Sequence, residues 1–188
     1  MKFLELINQI YSTKVNAQNN AENIKAHWEW SDQKRLLEIG TIYDEANKTL
    51  ADLSQAAEDA LGTLIAYVQE HKQKIALEDN AFLNAVNLMK TAGEAVPDDV
   101  QRQLIDKFQY NKDALTILKN ISGVSEAGIA CEEYLSRIEK SDLDIQSLSD
   151  QIYYNGSDVN ISADHLNPAD IEQRVNEYLA AYGLSYPG

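Results

Sequence analysis

The sequence predicts an all-α protein, in which a long helical hairpin or coiled coil joins a lobe of short helices. Three observations carry this. Turn-forming residues are scarce: the 188 residues include 8 Gly and 3 Pro, and Asn155-Gly156 is the one hairpin-type pair, whereas an all-β chain needs many such turns. Apolar residues from Leu36 to Tyr67 recur at alternating steps of three and four, the spacing of a helical stripe. Beyond Ile75, helix start and stop signals follow one another at short intervals.

The first element is an N-terminal helix with apolar positions Phe3, Ile7, Ile10, Ala17, Ala21, Ile24 and Trp28, and with Lys14 on the same stripe. Its middle is weakened by Asn16, Asn19, Asn20 and Asn23, whose side chains compete for backbone hydrogen bonds. The stripe slips by one residue near Trp28–Ser31, where Ser31 or Asp32 can cap a new helix. Either the first helix folds back on the second, with Trp28 and Trp30 closing the end, or one interrupted rod runs through. The hairpin is favoured.

The second helix carries the clearest pattern in the chain. Leu36, Tyr43, Leu50, Ala57 and Leu64 fall on heptad a positions, and Ile39, Ala46, Leu53, Ala60 and Tyr67 on d positions. His71 is the next a position. These ten residues form a candidate association seam, with Leu37, Ile42, Leu61, Ile65 and Val68 widening it for more than one neighbour. At 1.5 Å per residue the helix spans roughly 65 Å. Gly40 and Gly62 lie off the seam, and each costs about 1 kcal/mol relative to Ala, so the helix needs a partner.

Short helices follow. Asn80 can cap one carrying Phe82, Leu83, Val86, Leu88 and Met89, ended by Gly93. Pro97 opens the next, with Asp98 and Asp99 suited to its N-terminus and Val100, Leu104, Ile105 and Phe108 facing the core. Asn111 caps a third, with Ala114, Leu115, Ile117, Leu118 and Ile121, closed by Gly123. Ser125 begins another with Ile129, Tyr134, Leu135 and Ile138, and Ser141 or Asp142 begins one through Leu148, Ile152 and Tyr153 that stops at Asn155-Gly156. After a polar loop over 156–166, Asn167 caps a last helix opened by Pro168, with Ile171, Val175, Tyr178 and Leu179, ended by Gly183 ahead of a loose tail. The organisation read from this is a hairpin or coiled-coil element over 1–76, a short-helix lobe over 77–140, and an acidic helical segment over 141–188.

Charge narrows the function. The chain holds 16 Lys and Arg against 30 Asp and Glu, a net charge of −14. Half of the deficit lies in 141–188, where eight acids face the single base Arg174. Such a surface repels phosphates and anionic lipid, so direct nucleic-acid binding is not expected, whereas a basic protein partner at 141–188 fits. No run of about 18 apolar residues suggests a membrane span. Glu5, Asn8 and Gln9 break up the apolar start, which reads as helix rather than secretion signal. The lone Cys131 excludes an internal disulfide, which suggests a reducing compartment such as the cytoplasm, or simply no need for cross-links.

Chemistry-bearing patterns are few. His27, His71 and His165 are far apart and in no ligand spacing, and one cysteine rules out the usual zinc sites. Glu132 and Glu133 beside Cys131 oppose thiolate formation. No phosphate-binding glycine loop, dinucleotide fingerprint or serine nucleophile elbow occurs. Asp158, Asn160, Ser162 and Asp164 resemble the start of a calcium loop, yet Ala163 stands at the sixth position and Ala169 at the twelfth; there, calcium loops carry Gly and Glu. Solvated Asx turns explain the pattern better. Tyr153, Tyr154, Tyr178, Tyr182 and Tyr186 gather in the acidic quarter, either as a core with wet edges or as an acidic, Tyr-bearing docking surface. The sequence therefore predicts no enzyme, no cofactor and no metal.

The stretch Ala81–Lys90, then Pro97-Asp98-Asp99-Val100 through Ile105, then Asn111–Leu118, resembles the small acidic helical proteins encoded among head genes of tailed phages and prophages of Gram-positive bacteria. The resemblance implies a non-enzymatic, scaffold-like or head-associated role in virion assembly, in the bacterial host cytoplasm or the virion; the seam from Leu36 to Tyr67 adds helix–helix association with itself or another protein. The alternative from composition is an acidic binding module or inhibitor that captures a basic partner as a nucleic-acid mimic.

Overall fold

The computed structural model describes residues 2–72, 79–92 and 95–186. Among them are seven α-helices and no strand: α1 (Lys2–Lys25), α2 (Asp32–His71), α3 (Asn80–Ala92), α4 (Asp98–Asp106), α5 (Lys112–Ser122), α6 (Glu126–Gly156) and α7 (Pro168–Ala181), with a 3₁₀ turn at Ala163–Leu166 before α7. The all-α class follows from the sequence as expected. The expected boundary at 76/77 and the stop at Gly93 lie outside the described residues.

The chain divides into two compact units. One combines the chain up to Tyr67 with Ile145–Val175, and the other combines Val68–Asp144 with Asn176–Pro187. In the first unit, α1 buries Phe3, Leu4, Ile7, Ile10, Lys14, Ala17 and Ala21, and Leu50, Leu61, Leu148, Ile152, Val159, Leu166, Ile171 and Val175 are buried in the same unit.

The choice between hairpin and rod is settled by Val159. Its carbonyl accepts from Gln18 Nε2 of α1 at 3.0 Å and its N–H donates to Asn47 Oδ1 of α2 at 2.8 Å. Positions 29 residues apart in a straight rod would be roughly 43 Å distant at 1.5 Å per residue, so α1 folds back. Ser31 Oγ accepts from the Lys34 N–H and caps α2.

In the second unit, Phe82 meets Phe108 edge to face at 5.6 Å, near the size of contact that adds to area burial. Ile105, Leu115, Leu118, Cys131 and Ile138 are fully buried. Asn111 caps α5 through the Ala114 N–H, and Gly123 closes it at φ +60°. At the end of α7, the Leu184 N–H reaches the Leu179 carbonyl and the Gly183 N–H reaches Ala180, with Gly183 at φ +68°. This is the Schellman arrangement, and it holds the start of the tail that the sequence suggested was loose.

Four local expectations are corrected. The residues expected to form two helices on either side of Ser141 form one, α6, because Ser141 Oγ donates back to the Ile138 carbonyl instead of capping a new start. The start of α3 is capped by Asp79, whose carboxylate accepts from the Ala81 N–H, rather than by Asn80. On α4 the buried face holds Gln101 and Ile105, while Val100 is exposed; the Gln101 amide donates to the Val96 carbonyl, which makes its burial tolerable. At the hairpin turn Trp30 is half-buried, but Trp28 points outward.

Candidate functional site

Two features of the first unit stand out: a loop held by side chains of both hairpin helices, and an uncovered apolar face at the start of α2.

The loop follows α6. A main chain without regular structure has to find partners elsewhere. Lys14 sits within the apolar stripe of α1 and is 0% exposed. Its ammonium donates to the carbonyls of Asn155, of Asp158 at 2.6 Å and of Ile161 at 3.2 Å. Asn155 is in the last turn of α6, where carbonyls lack helical partners and favour a cation. Burial lowers the Lys14 ammonium to about 8, against the opposing pull of the Asp158 carboxylate.

The alternate oxygens of this loop find local partners. Asp158 accepts from the Asn160 N–H at 2.8 Å, and Ser162 Oγ accepts from the Asp164 N–H at 3.2 Å. These are Asx- and Ser-type turns, and the internal cation facing the loop carbonyls is Lys14. Among the described residues, no group of three or more His, Cys, Asp and Glu is arranged to hold a metal.

The α2 seam divides along its length. Ala46, Leu50, Ala57 and Leu64 are buried; Ile39, Tyr43, Leu53, Ala60 and Tyr67 are half-buried; Leu36 is 71% exposed. Ser54, Leu61 and Val68 take the fully buried places beside Leu53, Ala60 and Tyr67. Ala46, Ala57 and Val68 are spaced eleven apart, as are Leu50 and Leu61. That period, about 3.67 residues per turn, is closer to a straight helix than the heptad's 3.5, so the buried line drifts off the predicted d positions. Ser54 was legible only through this drift.

At the turn, the His27 ring stacks on Trp30 at 4.8 Å and the Lys34 ammonium lies 3.9 Å over the Trp30 ring. Arg35 donates to the His27 carbonyl at 2.9 Å and pairs with Asp32. Trp30 is thus covered, while Trp28, Leu36 and Leu37 are 82%, 71% and 70% exposed.

The other residues singled out in the sequence are dispersed. His71 and His165 are exposed. Cys131 is buried, and burial pushes its thiol up to about 11, with Lys119 opposing weakly. The tyrosines of the acidic quarter separate. Tyr153 and Tyr154 are exposed and meet edge to face at 4.9 Å. Tyr178 and Tyr182 are buried, the Tyr182 hydroxyl donating to Asp142 at 2.7 Å, and Tyr186 is half-buried. Among the described residues no helix is long and apolar enough to cross a membrane. Comparison with protein-family models, curated proteins and solved structures finds no match for this chain.

Proposed function

We propose that the protein is a non-enzymatic structural or assembly component that works by helix–helix association, with the outward face at the start of α2 as its contact surface. One observation carries this reading: Leu36 and Leu37 stand side by side on a regular helix and are 71% and 70% exposed. Adjacent large apolar side chains left in water mark contact sites more often than single ones do. The resemblance to helical head-gene proteins of tailed phages points to virion assembly as the setting. Size-exclusion chromatography with light scattering over a wide concentration range tests the reading. A concentration-dependent mass above 21.1 kDa is expected, and a monomer at every concentration speaks against self-association.

The acidic-module alternative draws on the exposed Tyr153–Tyr154 pair in the acidic quarter. It expects salt-sensitive capture of a basic protein, lost in Tyr153→Ala with Tyr154→Ala. Deletion of 141–188 is the poorer test, because it removes buried Val159, Leu166, Ile171 and Val175.

A further inference from the structure

We infer that the occupant of the α2 face is a second copy of this chain, docked antiparallel across Leu36, Leu37 and Gly40 with Trp28 at the rim. This rests on the association reading above and names its partner.

The face is defined by position. Gln33, Leu36, Leu37, Gly40 and Thr41 lie on one side of α2 at three- and four-residue spacing, and all are exposed. Gly40 is the telling member. A glycine inside a helix is less favourable than Ala, and a Cβ placed on Gly40 would meet nothing within 4 Å. Gly62 shares that open space, so the space alone marks neither; Gly40 differs in following Leu36 and Leu37 by one turn on the same exposed side, where a missing Cβ lets a second backbone come close.

Charge selects the partner. Two copies, each of net charge −14, repel over most approaches. Residues 25–40 balance Lys25, Lys34 and Arg35 against Glu29, Asp32 and Glu38, and the five face residues carry no charge. Over this stretch one copy can meet another with less of that repulsion, Asp44 being the first acid further along the same side. A strongly basic partner would instead be drawn to the acidic quarter.

The pattern is also self-complementary, as a two-fold contact requires. With the axis between positions 36 and 37, Leu36 meets Leu37 of the second copy, and Gly40 meets Gln33. Trp28, Leu36 and Leu37 at their stated exposures present on the order of 400 Å² of apolar surface per copy. Twice that area is below what a stable dimer buries, so the dimer is a weak, reversible one.

Sedimentation velocity on the full chain tests this. The wild type is expected to dimerise with rising concentration. Leu37→Glu is expected to weaken the dimer at least tenfold. Gly40→Leu is expected to do the same while raising the thermal midpoint of the monomer, because Leu is the better helix former; this separates docking from folding. Leu37→Cys, near the axis, is expected to cross-link to itself with a short bismaleimide, whereas Val124→Cys, 98% exposed elsewhere, is not. A dimer that persists unchanged in Leu37→Glu and Gly40→Leu overturns this inference and removes the α2 face as the contact surface, leaving helix–helix association elsewhere on the chain. A wild-type chain that stays monomeric at all concentrations overturns the self-docking inference and leaves only association with a different protein.

Discussion

The Lys14 ammonium and the main-chain carbonyl of Asp158 are 2.6 Å apart, although 144 residues separate them along the chain. One buried cation on the first helix thereby fixes the loop that follows α6, with Gln18 and Asn47 holding Val159 from the two hairpin helices. The loop is short of regular structure, yet its backbone partners are supplied by side chains of well-formed helices.

Replacing Lys14 with Met keeps the length and removes the donor. The carbonyls of Asn155, Asp158 and Ile161 then lose a shared partner, and leaving buried acceptors unmade costs about 2–3 kcal/mol. Urea unfolding of Lys14→Met at neutral pH is expected to show a loss of this size. Because burial lowers Lys14 from the ordinary 10.5 to about 8, the unfolded chain holds more protons than the folded one between those pH values. The contribution of Lys14 to stability therefore rises with pH across that window. The stability difference between wild type and Lys14→Met should grow from pH 8 to pH 10; a flat or shrinking difference contradicts the assignment. Burial and the hydrogen bond to Asp142 hold Tyr182 well above its ordinary range, so its contribution runs the other way and is lost as the pH climbs past that of a free phenol.

Ser54 Oγ is buried with no hydrogen-bond partner among the described residues, and it faces Gly156 at the end of α6. An unmatched buried hydroxyl is a net cost of about 1 kcal/mol or more. Ser54→Ala is expected to raise stability by about that amount in a denaturant titration, while Gly156→Ala lowers it, because the added methyl group collides with Ser54.

Gly183 is constrained twice. Its φ is +68°, and a Cβ there would stand 2.8 Å from the Tyr110 ring. Gly183→Ala is expected to cost about 2 kcal/mol. Gly62, inside α2 with nothing within 4 Å of a Cβ, gives the opposite result: Gly62→Ala is expected to gain up to about 1 kcal/mol. The two thermal midpoints should move in opposite directions.

Much of the fold was legible because local signals agreed with the tertiary outcome. Asn111, Gly123, Asn167 and Gly183 punctuate the helices where their chemistry requires, and the α1 stripe was readable through Lys14 even though a lysine breaks its apolar character. What could not be read depended on contacts made at a distance. Nothing local distinguishes Ser141 capping a helix from Ser141 bonding back within one; the buried line Leu135, Ile138, Ser141, Ile145 and Leu148, which runs through it unbroken, decides it. The heptad reading of α2 placed Leu53, Ala60 and Tyr67 inward because a 3.5-residue period and a straighter one diverge slowly. The role of Lys14 toward the loop was hidden because its acceptors are backbone carbonyls, which leave no trace in side-chain identity.

The proposed contact surface, the outward face of α2, should be covered in the associated protein. Methyl NMR on leucine-labelled protein, diluted from millimolar to low micromolar, tests it most directly. The Leu36 and Leu37 signals are expected to shift along a single saturable curve while buried Leu50, Leu115 and Leu148 stay in place. Leu36 and Leu37 signals that do not move over the whole range, with the mass fixed at 21.1 kDa, would contradict it.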